Sequence, residues 1–312
     1  MKVFVTGATG VLGRPTVDAL VAAGHDVRAV ARGADKSKQL RDVGAEPVPV
    51  DLFDLHAVLD AVAGSDAVLH LATNIPPIAK MARRSTWQLN NRLRTEATAN
   101  LLAAARSHSV TRFVKESITF TYVGSPDAWL DESSPLIDPA GMLEPTLDGE
   151  RMVTDFTRGG GDGVVLRFAL FYGPDNRSTE EALRLARFRR AAVWGPGRAY
   201  MSSLHTDDAA AAVLAALDVQ AGIYNVGDDE PMTRRAFVDS FSEALGLPHL
   251  GLAPARVIRF VGGSAGRALS ASQRISNKRF REASGWAPAY RNAREGWVAV
   301  AASRGHERME SG

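Results

Sequence analysis

The stretch Thr6-Gly7-Ala8-Thr9-Gly10-Val11-Leu12-Gly13 constrains the fold of this chain more than any other, because of what stands on either side of it. An apolar, strand-like run, Val3-Phe4-Val5, leads into it, and a helical pattern with Val17, Leu20 and Val21 on one face leads out. A glycine-rich turn between strand and helix lets backbone approach a pyrophosphate, while the helix N-terminus offers free N–H groups and a partial positive charge. Gly7, Thr9, Gly10, Val11, Leu12 and Gly13 are therefore the candidate cradle for a dinucleotide.

The pattern continues. Short apolar runs recur at Val27–Val30, Val48–Val50, Ala67–Leu71, Arg112–Val114 and Val164–Leu166, with segments of helical spacing between them. Strands alternating with helices pair in parallel through right-handed crossovers, so the expected class is α/β, a Rossmann-type doubly wound sheet. Beyond Gly173 the pattern loosens into helical segments near Glu180–Arg190, Arg234–Leu245 and Asn277–Ser284, punctuated by Gly195-Pro196-Gly197 and Gly246-Leu247-Pro248. The predicted organisation is a nucleotide-binding domain over 1–172, to which 204–228 returns with strand-like Ile223–Asn225. A smaller C-terminal substrate lobe is built from 173–203 and 229–312.

Composition excludes several functions. The 312 residues contain no cysteine, so disulfides, thiolate nucleophiles and Cys-ligated metals are out, and no metal site is expected. The formal charge of +2 comes with scattered arginines, which gives no basic stripe for nucleic acid. The most apolar run, Ala209–Leu217, is far shorter than the ~20 residues a membrane span needs. Met1 and Lys2 lead straight into the first strand pattern with no signal-like segment, and a cytoplasmic protein is expected. At the end of the second strand, where an acidic residue would hold an NAD ribose, the chain has Val30-Ala31-Arg32-Gly33, with Lys36 and Lys38 beyond. An arginine there suits a 2′-phosphate, so NADPH/NADP+ is the expected cofactor.

Further stretches carry a resemblance over almost the whole chain: "VDLFD" (Val50–Asp54), "LHLAT" (Leu69–Thr73), "NLLAAA" (Asn100–Ala105), "LRFALFYGP" (Leu166–Pro174), "LHTDDAAAAV" (Leu204–Val213), "YNVGDDEPMT" (Tyr224–Thr233) and "SGWAP" (Ser284–Pro288). In order and spacing the chain resembles the extended short-chain dehydrogenases/reductases, the group of sugar-nucleotide epimerases and dehydratases. That resemblance implies that Asp51 and Leu52 flank the adenine and that Leu71, Ala72 and Thr73 line the path to the nicotinamide ribose. It also brings Phe168 and Ala169 toward the nicotinamide, and implies a homodimer as a possible assembly.

The resemblance fails at the centre. The family's stretch like "VSSxxxYG" corresponds to Glu116–Tyr122, which places Ile118 at the expected hydroxyl with Ser117 and Thr119 on either side. The Tyr-x-x-x-Lys pair falls on Thr146 and Glu150, and the assisting asparagine on Arg94, with Asn91 one turn earlier. Ser117, Ile118, Thr119, Thr146 and Glu150 thus mark the catalytic positions without supplying an acid. A threonine beside a carboxylate cannot protonate a developing alkoxide as a phenol beside an ammonium does. Glu150 would retain only a role of accepting ribose hydroxyls, or it and Thr146 would be an exposed helix start. Tyr122 and Tyr200 are candidate replacement acids and, with Trp194, candidate substrate contacts. Phe188 and Phe260 would add to an apolar pocket that Ile75–Trp87 closes as a lid.

Among atypical members the chain is similar to actinobacterial ketoreductases of aromatic polyketides of the simocyclinone-type angucyclinone kind. The expectation is an NADPH-dependent ketoreductase acting on an aromatic ketone or quinone-like small molecule, with the proton drawn from the substrate or water. The alternative is a noncatalytic NADP(H)-binding regulator resembling the NmrA-like proteins. Epimerase or dehydratase action is disfavoured, since oxidising an alcohol requires a base that Thr146 does not provide.

Overall fold

The computed structural model describes residues 1–77, 80, 83–137, 143–253 and 270–310. In chain order the strands are β1 (Lys2–Thr6), β2 (Asp26–Val30), β3 (Glu46–Val48), β4 (Ala67–His70), β5 (Arg112–Ile118), β6 (Trp129–Leu130), β7 (Asp162–Phe168) and β8 (Leu170–Tyr172). They continue as β9 (Arg190–Trp194), β10 (Tyr200–Met201), β11 (Ser203–His205), β12 (Gly222–Val226), β13 (Met232–Thr233), β14 (Gly251–Ala253) and β15 (Arg274–Ile275). The helices are α1 (Gly13–Ala22), α2 (Ala34–Asp42), α3 (Leu55–Val62), α4 (Gln88–Arg92), α5 (Thr98–Ser107), α6 (Glu144–Arg158), α7 (Arg177–Ala186), α8 (Thr206–Ala215), α9 (Arg234–Ala244), α10 (Lys278–Ser284) and α11 (Ala293–Glu310).

Seven parallel strands form the central sheet in the order β12-β7-β5-β4-β1-β2-β3. This is a Rossmann-like α/β fold. The sheet is buried on both faces, as the nearly continuous apolar runs require. On one face Val5, Val27, Val114 and Leu166 pack with α1 and α8. On the other, Phe4, Val68 and Phe113 pack with α3, α5 and α6, where Phe113 meets Phe156 at 5.9 Å. A third apolar cluster around Tyr172, Phe237, Phe241 and Trp297 forms the core of the lobe. Short pairs stand outside the central sheet: β9 with β14 and β10 with β13 join the two pieces of the lobe, and β8 pairs with β11 and β6 with β15.

The boundaries shift at one place. Phe280 and Trp286, assigned to the lobe on sequence grounds, pack in the sheet core with Tyr224. They cover β12, the edge strand of the sheet, whose outer face needs apolar neighbours.

Candidate active site

Because the strands are parallel, their C-terminal ends share one edge, and the chain order reverses between β1 and β4. A crevice at such a switch point is where doubly wound sheets bind ligands. Gly7, with φ of +74°, turns the chain there, and a methyl group on it would lie 2.6 Å from the backbone of Leu71 and Ala72. Only glycine permits that approach. Gly13 is as tightly placed, against the carbonyl of Gly7, whereas Gly10 is exposed and meets only that carbonyl. Leu12 precedes α1 without a side-chain cap, and no carboxylate occupies the first turn, so the helix's first N–H groups and positive end are left for an anion. The cradle thus fits a pyrophosphate, with Thr9 and Val11 on its half-buried rim.

Other sequence-designated positions gather around this crevice. Arg32 is exposed at the end of β2, just before the positive-φ Gly33, and makes no ion pair among the described residues. Asp51 is exposed and accepts the Phe53 N–H at 3.1 Å, while the Leu52 carbonyl accepts from Asn100 at 3.0 Å. Leu71 is buried, and Ala72 and Thr73 follow it outward. Phe168 and Ala169 are buried, the phenyl ring packing on Phe171 at 5.1 Å.

At the ends of β5 and β7 the structure departs from expectation. Thr146 is 2% and Glu150 3% exposed, so neither belongs to an exposed helix start. Glu150 is also not available to hold ribose hydroxyls. Its Oε1 accepts from Ser117 Oγ at 2.5 Å and Arg167 Nε at 3.0 Å, and its Oε2 accepts from Arg167 Nη2 at 2.5 Å. Ser117 therefore spends its proton on Glu150. Ile118 ends the strand, and Thr119 opens a tight turn whose carbonyl accepts from Gln273.

Tyr122 is fully buried. Its hydroxyl donates to Asn225 Oδ1 at 2.8 Å and accepts from Arg167 Nη1 at 2.7 Å, and burial raises its pKa despite the nearby guanidinium. A phenol so enclosed neither lines open substrate space nor gives up a proton, which removes it as replacement acid and as substrate contact.

Beneath these groups lies a buried charge cluster that the sequence reading did not foresee. Arg94 pairs with Glu116 at 3.3 Å, and Arg167 with Glu150, leaving Lys115 without an ion-pair partner among the described residues. Burial, helped by Arg94, pushes the Lys115 ammonium down to about 7 against the opposing pull of Glu116 and Glu150. With Lys115 neutral, two cations balance two anions. Arg94 sits on a π-helical turn, Leu93–Ala97, between α4 and α5, a distortion that often accompanies functional sites. Its Nη1 and the Oδ1 of Asn91 are buried without hydrogen-bond partners. Arg94 thus serves as half of an ion pair and not as the assisting asparagine. His70 is held neutral: Nε2–H donates to the Leu93 carbonyl at 3.0 Å, so Nδ1 accepts the Thr6 hydroxyl at 2.8 Å, and burial lowers its pKa well below the usual histidine range.

Of the expected pocket aromatics, Tyr200 and Trp194 are half-buried in the lobe, on β10 and β9. Phe188 is 75% exposed on the turn after α7 and is no pocket wall. Its helical spacing looked apolar-facing, but α7 ends two residues earlier. Phe260 and four residues of the expected lid, 78, 79, 81 and 82, lie outside the described residues. Trp87, at the end of the lid segment, is buried.

The profile of the NAD dependent epimerase/dehydratase family matches residues 3–227. The chain belongs to that family. It is 34% identical over 309 residues to a 3-diazoavenalumate denitrifying reductase of a Streptomyces species, spanning 95% of this chain and 99% of that protein. It is 30% identical over 283 residues to the 4-hydroxy-2-methyl-3-oxo-4-farnesyl-3,4-dihydroquinoline-1-oxide ketoreductase of Stigmatella aurantiaca, 86% of this chain and 82% of that one. The UDP-glucose 4-epimerase of Thermus thermophilus, solved with NAD, superimposes with a TM-score of 0.78 at 23% identity, covering 97% and 98% of the two chains. Human epimerase family protein SDR39U1, solved with NADPH, gives 0.74 at 22% identity over 97% and 99%. At such identities the solved structures share the fold. None of the chain's five tyrosines is followed four residues later by a lysine.

Proposed function

We propose that this chain is an NADPH-dependent reductase of an aromatic ketone or quinone-like metabolite, and that the proton comes from the substrate or from water. The observation that carries the reading is the fate of Glu150. Where the family resemblance places a lysine, its carboxylate is held by Arg167 and Ser117, with Thr146 one helical turn above. The glycine cradle supports a bound dinucleotide, and the unpaired Arg32 supports the 2′-phosphate that distinguishes NADPH.

When bound, NADPH supplies hydride. The chain's own residues hold and orient: Gly7, Gly10 and Gly13 admit the pyrophosphate, the first turn of α1 neutralises part of its charge, and Arg32 pairs with the 2′-phosphate. Thr146 offers a hydrogen bond but no proton at neutral pH. An aromatic ketone with a neighbouring hydroxyl answers that shortage, because hydride arriving at carbon is matched by proton transfer within the substrate.

A second reading is favoured by the Streptomyces relative, whose name describes loss of nitrogen from a diazo compound. Hydride added to a cationic aryl diazo group leaves a neutral product, so no alkoxide awaits a proton. One experiment separates the readings: 4-deuterated NADPH with a panel of aromatic ketones, quinones and diazo arenes. Deuterium on a carbinol carbon is the expected result, while dinitrogen release confined to the diazo arenes would establish the second reading. Tight NADPH binding with no turnover across the panel would instead make the chain a noncatalytic sensor. Equal affinity for NADH and NADPH would overturn the role of Arg32.

A further inference from the structure

Where the lobe meets the turn after β5, three side chains form a stack that the reductase reading does not use. The Arg274 guanidinium on β15 lies 4.2 Å from the ring centroid of Trp129 on β6 and 5.0 Å from that of Tyr200 on β10. The two strands carrying Arg274 and Trp129 pair in register, and Trp129 remains 47% exposed.

The stack is held rigidly at the rim of the candidate site. Gln273, the neighbour of Arg274, donates from Nε2 to the carbonyls of Thr119 at 3.2 Å and Tyr122 at 3.3 Å, the turn that closes β5. Ser272 Oγ accepts the Tyr200 N–H and donates to the Pro126 carbonyl, both at 3.0 Å. Gly124 packs so closely on this strap that a methyl group there would lie 2.6 Å from Ala271 Cβ.

Stacking covers the faces of a guanidinium and leaves its in-plane donors free. Here those donors have no taker among the described residues: Arg274 makes no ion pair, and its Nε is buried without a hydrogen-bond partner. With Nε enclosed, the Nη1–Nη2 end is the edge left to take a carboxylate through two parallel bonds. One guanidinium matches one negative charge, and the flanking rings favour a flat, apolar body beside that charge.

Resting on the reductase reading, we propose that Arg274, clamped by Trp129 and Tyr200, is the anchor for a carboxylate carried by an aromatic substrate. The acceptor is then an aromatic acid, and its free acid is preferred over neutral derivatives.

The test is calorimetric titration of the full chain, with NADPH present, against 2-naphthoate and 2-naphthamide, which differ in charge and share a ring. The wild-type chain should bind the acid at least about tenfold more tightly than the amide, as a charge-assisted bidentate contact implies. Arg274→Gln should abolish that preference while NADPH affinity and the thermal midpoint stay put, and Arg274→Lys, which keeps charge but not the planar fork, should restore only part of it. Equal affinity for acid and amide in the wild type overturns the anchor, as does a preference that survives Arg274→Gln. Should Arg274→Gln unfold, the wild-type acid-to-amide ratio and the Arg274→Lys ratio still decide. Failure of the wild type to bind NADPH defeats the reductase reading instead, since the ratio is measured on a different ligand.

Discussion

Glu150 decides what the centre of this molecule can do, because its carboxylate and the Arg167 guanidinium are both withdrawn from water and complete each other. Removing one partner of such a pair leaves a buried charge and costs about 3–5 kcal/mol, so Glu150→Gln should lower the urea midpoint sharply. Replacing both, as Glu150→Leu with Arg167→Met, should recover most of that loss, though Ser117 and Tyr122 then lose partners. Thr146→Ala should lower kcat by less than about tenfold, because a side chain acting as general acid is worth about 10²–10⁴-fold. A hundredfold fall in steady-state rate would return the proton to Thr146. At this scale the sequence reading did not foresee the buried partners of Glu150 and Ser117. Residues 146 and 150 are singled out by the family resemblance, whereas Arg167 and Lys115 arrive from strands distant in the chain. The available signal was the charge inside apolar strands, "FVKESI" and "LRFALF", since a charged residue in the middle of a two-faced strand has to be paired or neutralised.

Along α6 the consequence of the charge cluster is a glycine that helix propensity disfavours. Alanine at Gly149 would gain about 1 kcal/mol of propensity, yet its methyl group would sit 2.5 Å from both the Arg94 carbonyl and Lys115 Cε. Overpacking costs about 1–3 kcal/mol, and a backbone carbonyl cannot swing aside, so Gly149→Ala should be net destabilising in thermal denaturation. Lys115→Met should soften that penalty without removing it, because the Arg94 carbonyl remains. The β1–turn–α1 unit was fully legible, as its signals are local: a strand, three glycines and a helix within 22 residues. The turn after α7 was not. Phe188 lies within the helical segment expected near Glu180–Arg190, but the helix ends at Ala186 and the ring is left in solvent.

Across the whole molecule two buried groups of opposite charge set how stability follows pH. Asp228, at the junction of β12 and the lobe, is pushed by burial to about 8, against the hydrogen bond it accepts from Ser203 at 2.7 Å. Its folded-state pKa lies above the unfolded 3.8, so the native state holds a proton that the unfolded state has lost, and stability falls as pH rises from 3.8 to about 8. Lys115 lies at about 7 against 10.5 unfolded, so here the unfolded state holds the extra proton and stability rises with pH across that interval. Together they carve a minimum near neutral pH. In urea midpoints taken from pH 5 to 10, the advantage of Asp228→Asn over wild type should grow up to about pH 8. The advantage of Lys115→Met should be full below pH 7 and shrink above it. The parallel, doubly wound class of the sheet followed from sequence because alternating strands and helices impose it, while the placement of Phe280 and Trp286 did not, since nothing local says which core an aromatic will join. The Glu150–Arg167 pair also limits what position 150 can hold. A lysine at position 150 would lose the Arg167 pair and set a new cation beside Arg94, Lys115 and Arg167 with only Glu116 to answer them, so Glu150→Lys should leave the chain unable to close its core.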